Sequence, residues 1–555
     1  MTTDAGKVLK QAPCHKHLWA CASALLILVA LRSYAVQGPP YQPATDTPPP
    51  LLVPPAEVPP NCLHLQRVCV DQQQIVMMDP AYLPQSEERP LPNTRTESFK
   101  LFFNLPVTTG SNPDVWVARQ RMPQLVFRRP TAMEPTFDLR HPRFETHTLP
   151  LLFIPDWLEN FGHTLGNSAT FLHSHLRNAS WAGRAQLVVQ TPLGLALPQH
   201  WRTLVGPLLP NFPIQTLADF SNRLEPHQPA GWGAHILGRR AAFGGPAPTR
   251  SRCFAEMLVC PGLKENESVN IYQTASFIAQ SYAKEAEAAA PNTYTSSSPE
   301  CNGGASSRRP ARGTAADKRP SCLRVLFKMR PAQPAVRQIL NMPQLLEECR
   351  RWRFTDPASG ATFAATCASW QPGSDLAANI AAVRSADVLI GKHGAGMANA
   401  FFMRPGGAMF EVFSAGWSWQ VHRAWLDQEQ RPQLQWWALT VRDPAALEPG
   451  ELEARLMPQP RLYNVRREGR QKRLRDRNLR VPWQGLDVLL QEYSKVQAAG
   501  GMAAYWDRRL ANLQPVHYCW TRAQDLQECG TGLHGGPFRP GRDDQPLLNQ
   551  TRFIE

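Results

Sequence analysis

The stretch Asp387 to Phe413 reads DVLIGKHGAGMANAFFMRPGGAMFEVF and concentrates residue types that handle phosphate. An apolar run leads into a glycine-rich turn, a short helix, a Pro-Gly-Gly turn and a second apolar run. Gly394 and Gly396, either side of Ala395, let a backbone approach an anion closely. The helix that follows offers unpaired amide hydrogens and a partial positive charge. Lys392 and His393, in the turn itself, add candidate charge against a diphosphate. Glu411 ends the next apolar run, where a carboxylate can grip ribose hydroxyls. Asn399 stands where G-x-G-x-x-G needs its third glycine, so this is not a dinucleotide fingerprint. His173-x-His175 supplies two metal-type ligands with no third nearby, so that pair reads as ordinary helix or loop surface and no metal is expected.

These residues need a scaffold of buried strands and covering helices. Leu149–Ile154 and Ala185–Val189 read as strands, and 167–177 as a helix. A second series follows: strand at Leu323–Phe327, helix at Pro343–Trp352, strands at Asp387–Gly391 and Ala408–Phe413, helix at Leu486–Tyr493. Purely apolar runs such as Val388-Leu389-Ile390 suit parallel strands covered on both faces. The expected fold class is α/β, with two lobes facing across a cleft where ligands usually sit. Residues 61–283 form the first lobe in this reading and 322–495 the second. Between them, 284–321 is rich in Ala, Ser, Pro, Gly and Arg, and reads as a disordered insertion. Residues 496–555 read as a C-terminal tail.

Compartment is written at the other end. Residues 18–31 are apolar apart from Ser23, and the run extends to residue 36 if Arg32 snorkels. Lys7, Lys10 and Lys16 precede it, which predicts a cytosolic tail over 1–17 and a signal-anchor over 18–36, with the bulk luminal. A cleaved signal peptide ending near Ser33-Tyr34-Ala35 is the rival reading. Ten prolines in residues 37–60 predict an extended stem. Ten of the 12 cysteines follow the apolar run, and the close pairs Cys62/Cys69, Cys253/Cys260 and Cys519/Cys529 read as disulfides closing short loops. Cys301 and Cys322 stand at the ends of the insertion. Asn178, Asn266 and Asn549 head glycosylation triplets. The net charge is +14, and residues 461–480 hold nine Arg or Lys against two acids. With no nucleic-acid-binding pattern beside it, that run reads as solvated surface and no nucleic-acid partner is expected. The chain has no G-x-S-x-G elbow, which argues against a serine hydrolase.

The segment GKHGAGMANAFFMRPGG followed by Phe410-Glu411 resembles the signature of glycosyltransferase family 61. That family includes plant N-glycan xylosyltransferases, grass xylan arabinosyl- and xylosyltransferases, and animal N-acetylglucosaminyltransferases. The segment LRVLFKMRPAQPAVRQILN resembles the family's strand that ends in arginine, and Glu159–His163 its Asn-x-x-His element. The resemblance implies a GT-B architecture, with a nucleotide sugar held by the second lobe and inversion at the anomeric carbon. It implies that Arg330 and Arg337 contact the diphosphate, with Lys392, His393, Gly394, Ala395, Gly396, Asn399 and Glu411 around them. His163 becomes the candidate base that takes the acceptor's proton, with Asn160 and Asn167 lining the cleft. An unshifted histidine suits that task near neutral pH. No cofactor is implied beyond the donor, with UDP-xylose favoured and UDP-arabinose or UDP-N-acetylglucosamine as alternatives. The acceptor is a glycan or glycoprotein, and the address a Golgi or ER membrane. Asn167 departs from the family's usual acid at that spacing, and Ala398 from a frequent threonine. A glycan-binding relative that has lost catalysis is the alternative that Asn167 favours.

Overall fold

The computed structural model describes residues 52–60, 62–71, 74–79, 126–128, 130, 134, 137–155, 158, 160–191, 196–221, 252–262, 270–289, 321–331, 337–414, 421–427, 433–448, 477–510, 516–521 and 523–528. The signal-anchor at 18–36, the cytosolic tail and most of the insertion and basic run lie outside these residues. Among the described residues, no helix is long and apolar enough to cross a membrane.

The first lobe is built on a seven-stranded sheet. Its strands are β1 (Leu63–Asp71), β2 (Gln74–Met77), β3 (Val126–Arg128), β4 (Leu149–Ile154), β5 (Ala185–Val189), β6 (Gln215–Thr216) and β7 (Arg252–Pro261), in the order β3-β2-β1-β7-β4-β5-β6. β7, β4, β5 and β6 run parallel, while β1 pairs antiparallel with β7 and with β2. The apolar runs predicted as strands at 149–154 and 185–189 are β4 and β5, buried at every position.

The β1–β7 pairing decides the disulfides. Cys62 bonds Cys260 and Cys69 bonds Cys253, not the short loops that close spacing suggested. Cysteines seven residues apart on an extended strand stand about 23 Å from each other, too far to bond. The antiparallel register instead sets Cys69 opposite Cys253. Cys349 and Cys367 join a helix to a strand of the second lobe. Cys322 and Cys519 are also disulfide-bonded.

The second lobe carries an eight-stranded sheet of β8 (Ser321–Lys328), β9 (Arg353–Thr355), β10 (Thr362–Trp370), β11 (Val388–Lys392), β12 (Ala408–Ser414), β13 (Gln435–Val441), β16 (His517–Trp520) and β17 (Leu526–Glu528). The short β14 (Leu447–Glu448) and β15 (Asn478–Leu479) form a separate ribbon. The sheet order is β17-β16-β13-β12-β11-β8-β10-β9, and all but its two edge strands run parallel. From β8 the chain crosses to β10 on one side and then returns to β11 on the other. That reversal opens a crevice at the carboxyl ends of β8 and β11, the usual ligand position in open parallel sheets. Helices Met342–Arg351, Leu376–Arg384 and Trp483–Ala498 cover the sheet. β16 and β17 carry residues 517–528 into it, so the predicted tail from 496 begins as part of the lobe. Residues 284–288 and Ser321, assigned to the insertion by composition, are helical and the first of β8 respectively.

One apolar core runs through both lobes. It joins Leu151, Phe153 and Trp201 of the first to Leu389, Met397, Phe401 and Trp436 of the second. The elements in contact are irregular. A three-residue helical turn, Phe161–His163, leads into a π-helix over Thr164–Ala169, and opposite it Ala395–Phe402 forms an unusually long 3-10 helix. The end of the predicted stem also docks on the first lobe: Leu52 and Val53 amides, together with His64, bond the buried Glu256 carboxylate.

Candidate active site between the lobes

The site begins with strand alternation. On β8, Leu326 points into the interlobe core while Val325 and Phe327 point to the opposite one, so Lys328 shares the interlobe face. On β11 the phase is reversed: Leu389 and Gly391 face the interlobe side, and Val388, Ile390 and Lys392 the other. Lys392 is therefore turned away from the glycine turn, and its ammonium donates to the Arg477 carbonyl. The lysine that reaches the turn is Lys328.

Two glycines house it. A Cβ on Gly391 would come within 3.0 Å of the Lys328 Cβ, and one on Gly396 within 2.7 Å of its Cε and 3.4 Å of its Nζ. The space beside Gly396 is thus filled by a lysine stem rather than left open for an anion. A Cβ on Gly394, which holds φ +151°, would lie in ordinary contact with Arg337 Nη1 at 3.4 Å and Arg330 Nη2 at 3.8 Å, so both guanidinium groups reach the turn. Arg337 itself holds φ +59°, a left-handed conformation costly for a side-chain residue and concentrated at functional sites. Three cations from the end of β8 and its following loop thereby meet one glycine turn. Burial, then Arg330 and Arg337, push the Lys328 amine down to about 7. Lys328 makes no hydrogen bond or salt bridge among the described residues.

Under the turn lies a carboxylate that the sequence placed on a ribose. Glu411 is fully buried on β12, and its Oε1 accepts from His393 Nδ1 and His422 Nδ1, each at 2.6 Å. Its Oε2 accepts from Trp436 Nε1 at 3.0 Å. Burial alone would raise this carboxyl, but His422, His393 and their hydrogen bonds outweigh it and hold it ionised, well below the usual range. Glu411 therefore anchors two imidazoles instead of standing open to a sugar. His393 stacks on Phe413 at 5.2 Å, and burial pushes it down to about 4 against the pull of Glu411. Burial thus works against the extra positive charge expected of it.

His393, Glu411 and His422 lie close enough to be weighed as metal ligands. Their geometry is that of hydrogen bonding. Both ring nitrogens sit 2.6 Å from one oxygen, whereas an ion bound at ~2.1 Å in tetrahedral geometry spreads its ligands to more than 3 Å apart.

From the first lobe, Asn160 caps the Phe161 turn, its Oδ1 accepting from Gly162 N at 3.0 Å and His163 N at 3.3 Å. That turn sits on the second lobe, where a Gly162 Cβ would meet Ala398 Cβ at 3.5 Å and Ala395 Cα at 3.6 Å. His163 is brought to the same centre, edge-on to Trp425 at 5.7 Å, with Asn167 Nδ2 3.3 Å from its Nδ1. Burial, then His422 and His393, push His163 down to about 3. The premise of an unshifted base fails here: burial and two neighbouring histidines disfavour the protonated ring.

Between the lobes lies a cavity of about 300 Å³. Phe161, Gln199, His200 and Thr203 line one wall, and the loop 372–374 with Asn379, Gly396 and Asn399 the other. The cation socket and the cavity thus share Gly396.

Comparison with protein families matches glycosyltransferase 61 over residues 144–410, a span holding His163, Arg330, Arg337 and the whole glycine turn. That match supports membership of glycosyltransferase family 61. No curated protein matches the chain. His422 and Trp436 lie beyond the matched span, and the sequence reading did not single them out. Lys328 lies inside it and was also missed. Its signal was the period-two alternation of Leu-Phe-Lys-Met-Arg, which puts Lys328 on the same face as Arg330.

Proposed function

We propose that this chain is an inverting glycosyltransferase of GT-B architecture that transfers a sugar from a UDP donor to a hydroxyl of a glycan or glycoprotein. UDP-xylose is the favoured donor, with UDP-arabinose and UDP-N-acetylglucosamine as alternatives. The observation that carries this reading is the convergence of Lys328, Arg330 and Arg337 on the turn at Gly394–Gly396. As the acceptor oxygen bonds the anomeric carbon and passes its proton to His163, the candidate base, the bond from that carbon to the diphosphate breaks and its electron pair leaves with the UDP. Two guanidinium forks and an ammonium held beside that oxygen meet the charge where it develops. Such a set supports departure of the diphosphate without a metal ion, and the sequence has no Asp-x-Asp for one. The two α/β sheets around a shared crevice support the GT-B reading.

The apolar run at 18–36 supports a single-pass type II protein of the Golgi or ER membrane. Disulfides at Cys62–Cys260, Cys69–Cys253 and Cys349–Cys367 fit its oxidising lumen. Asn178, exposed on the surface, is open to glycosylation there.

The test is UDP release by the full-length chain from each of the three donors against a mixed glycan panel. Release that depends on acceptor and falls ~10²–10³-fold in Arg330→Ala supports the reading. Absence of release from every donor overturns it. A second reading, a glycan-binding protein without turnover, draws on His163 pairing with an amide at Asn167. Glycan binding without release from any donor is its signature.

A further inference from the structure

We infer that the cavity between the lobes is the seat of an uncharged sugar ring, held by hydroxyl donors to His200 and Asn399. This rests on the reading of the adjacent turn as a diphosphate site, and it names what lies next to that diphosphate.

The open valences of the cavity point one way. Asn399 is buried in the 3-10 helix, and its Nδ2 donates to the Gly396 carbonyl at 3.0 Å, which fixes the amide's orientation. Its Oδ1 is then left buried with no hydrogen-bond partner, a costly state unless something arrives to donate. His200 gives the second vacancy. Its Nε2 lies 3.2 Å from the Leu158 carbonyl and 3.1 Å from Thr164 Oγ1. A carbonyl can only accept, so Nε2 carries the proton and Nδ1 keeps its lone pair. Burial pushes this imidazole down to about 4, so the tautomer persists across physiological pH. Two acceptors on opposite lobes, one of them buried and unmatched among the described residues, call for a ligand that presents hydroxyls on two sides.

The remaining lining agrees. Phe161 offers an aromatic face, Gln199, Thr203 and Ser374 add neutral polar groups, and among the described residues no carboxylate, lysine or arginine lines the cavity. A charged ligand would be left unpaired there, whereas a pyranose or pentose ring matches both polarity and size. Asn379 braces the wall through Gly373, accepting from its amide at 3.0 Å and donating to its carbonyl at 2.9 Å.

The ring could belong to the donor or to the acceptor, and one set of variants separates them. His200→Gln keeps an N–H near the Nε2 position and removes the Nδ1 acceptor, while His200→Asn keeps an acceptor near Nδ1 and loses the donor. Calorimetric titration of the full-length chain uses UDP, UDP-xylose and UDP-N-acetylglucosamine, then methyl mannoside on the UDP-saturated chain. His200→Gln is expected to bind UDP within twofold of wild type and to lose about tenfold in affinity for one sugar ligand, the effect of one lost hydrogen bond. His200→Asn should recover most of it, and Asn399→Ala should show the same selective loss. A loss confined to the UDP-sugars assigns the donor ring, and one confined to methyl mannoside the acceptor ring. Normal UDP binding, with all sugar affinities unmoved in both His200→Gln and Asn399→Ala, overturns the subsite alone. A wild-type chain that binds no UDP overturns the diphosphate reading beneath it.

Discussion

At the scale of single residues, protonation decides what the site can do. Lys328 loses protons near pH 7 because burial and two arginines disfavour its charge. A diphosphate supplies the missing counter-charge, so UDP binding at pH 8 should draw a proton onto Lys328. Calorimetry in buffers of different ionisation enthalpy should show uptake approaching one proton, abolished in Lys328→Met; equal uptake in both would remove Lys328 from the site. The sign for stability is separate. With the folded value below the unfolded one, the unfolded chain binds more protons between about pH 7 and 10, so this lysine makes the ligand-free protein more stable as pH rises through that window. His163 gives a second test. Its value near 3 leaves no acid limb in the working range, whereas Asn167→Asp places a carboxylate where an amide nitrogen now lies 3.3 Å away. If His163 is the base, the kcat/KM profile of Asn167→Asp should gain an acid limb between pH 5 and 7; a flat profile moves the base elsewhere. The sequence was legible here only in part. It put Arg330, Arg337 and Gly394 together, but residue types alone do not say which face of a strand a lysine occupies, nor that Glu411 would be consumed by two histidines and a tryptophan.

At the scale of elements, the glycine turn works as a socket for side chains from β8, and that changes what glycine substitution should do. A methyl on Gly396 collides with the far end of a flexible lysine, which can swing away. Gly396→Ala should therefore fold with nearly normal thermal stability while losing donor turnover to about the same degree as Lys328→Met. The double variant should be little worse than either single one, since both remove the same ammonium. Additive losses would show that Gly396 serves the anion directly. Gly166 is the contrasting case, because its methyl would lie 2.7 Å from the rigid Trp425 indole, where nothing can yield without moving a lobe. Strands and helices at this scale were well marked by apolar runs: β4 and β5 fall on the residues their runs predicted. The π-helix over Thr164–Ala169 was not, because its extra residue per turn follows from packing against the other lobe and leaves no pattern in composition.

At the scale of the whole molecule, the two lobes share one core, and Trp425 is its keystone residue. Its indole is buried over Gly166, edge-on to His163 at 5.7 Å and to His422 at 5.5 Å, and 6.1 Å from Phe401. Two-lobe topology was readable from the order of apolar runs, but nothing local in the chain tells a loose hinge from a continuous core. The continuity has a thermodynamic consequence. A protein whose apolar cluster crosses the cleft should unfold in one transition, and Trp425→Ala should cost about 3–5 kcal/mol, as large buried aromatics do. Truncation removes the ring that both lobes pack on, so the single transition should also split or broaden. UDP separates packing from ligand binding, because Lys328, Arg330 and Arg337 all belong to the second lobe. UDP at a hundred times its Kd should add about 2.7 kcal/mol of stability to wild type. In Trp425→Ala that gain should appear only in the transition of the second lobe, while the first unfolds at a temperature indifferent to UDP. Calorimetric scans with and without UDP decide it: a single transition in Trp425→Ala, raised as a whole by UDP, would show that the lobes are joined elsewhere.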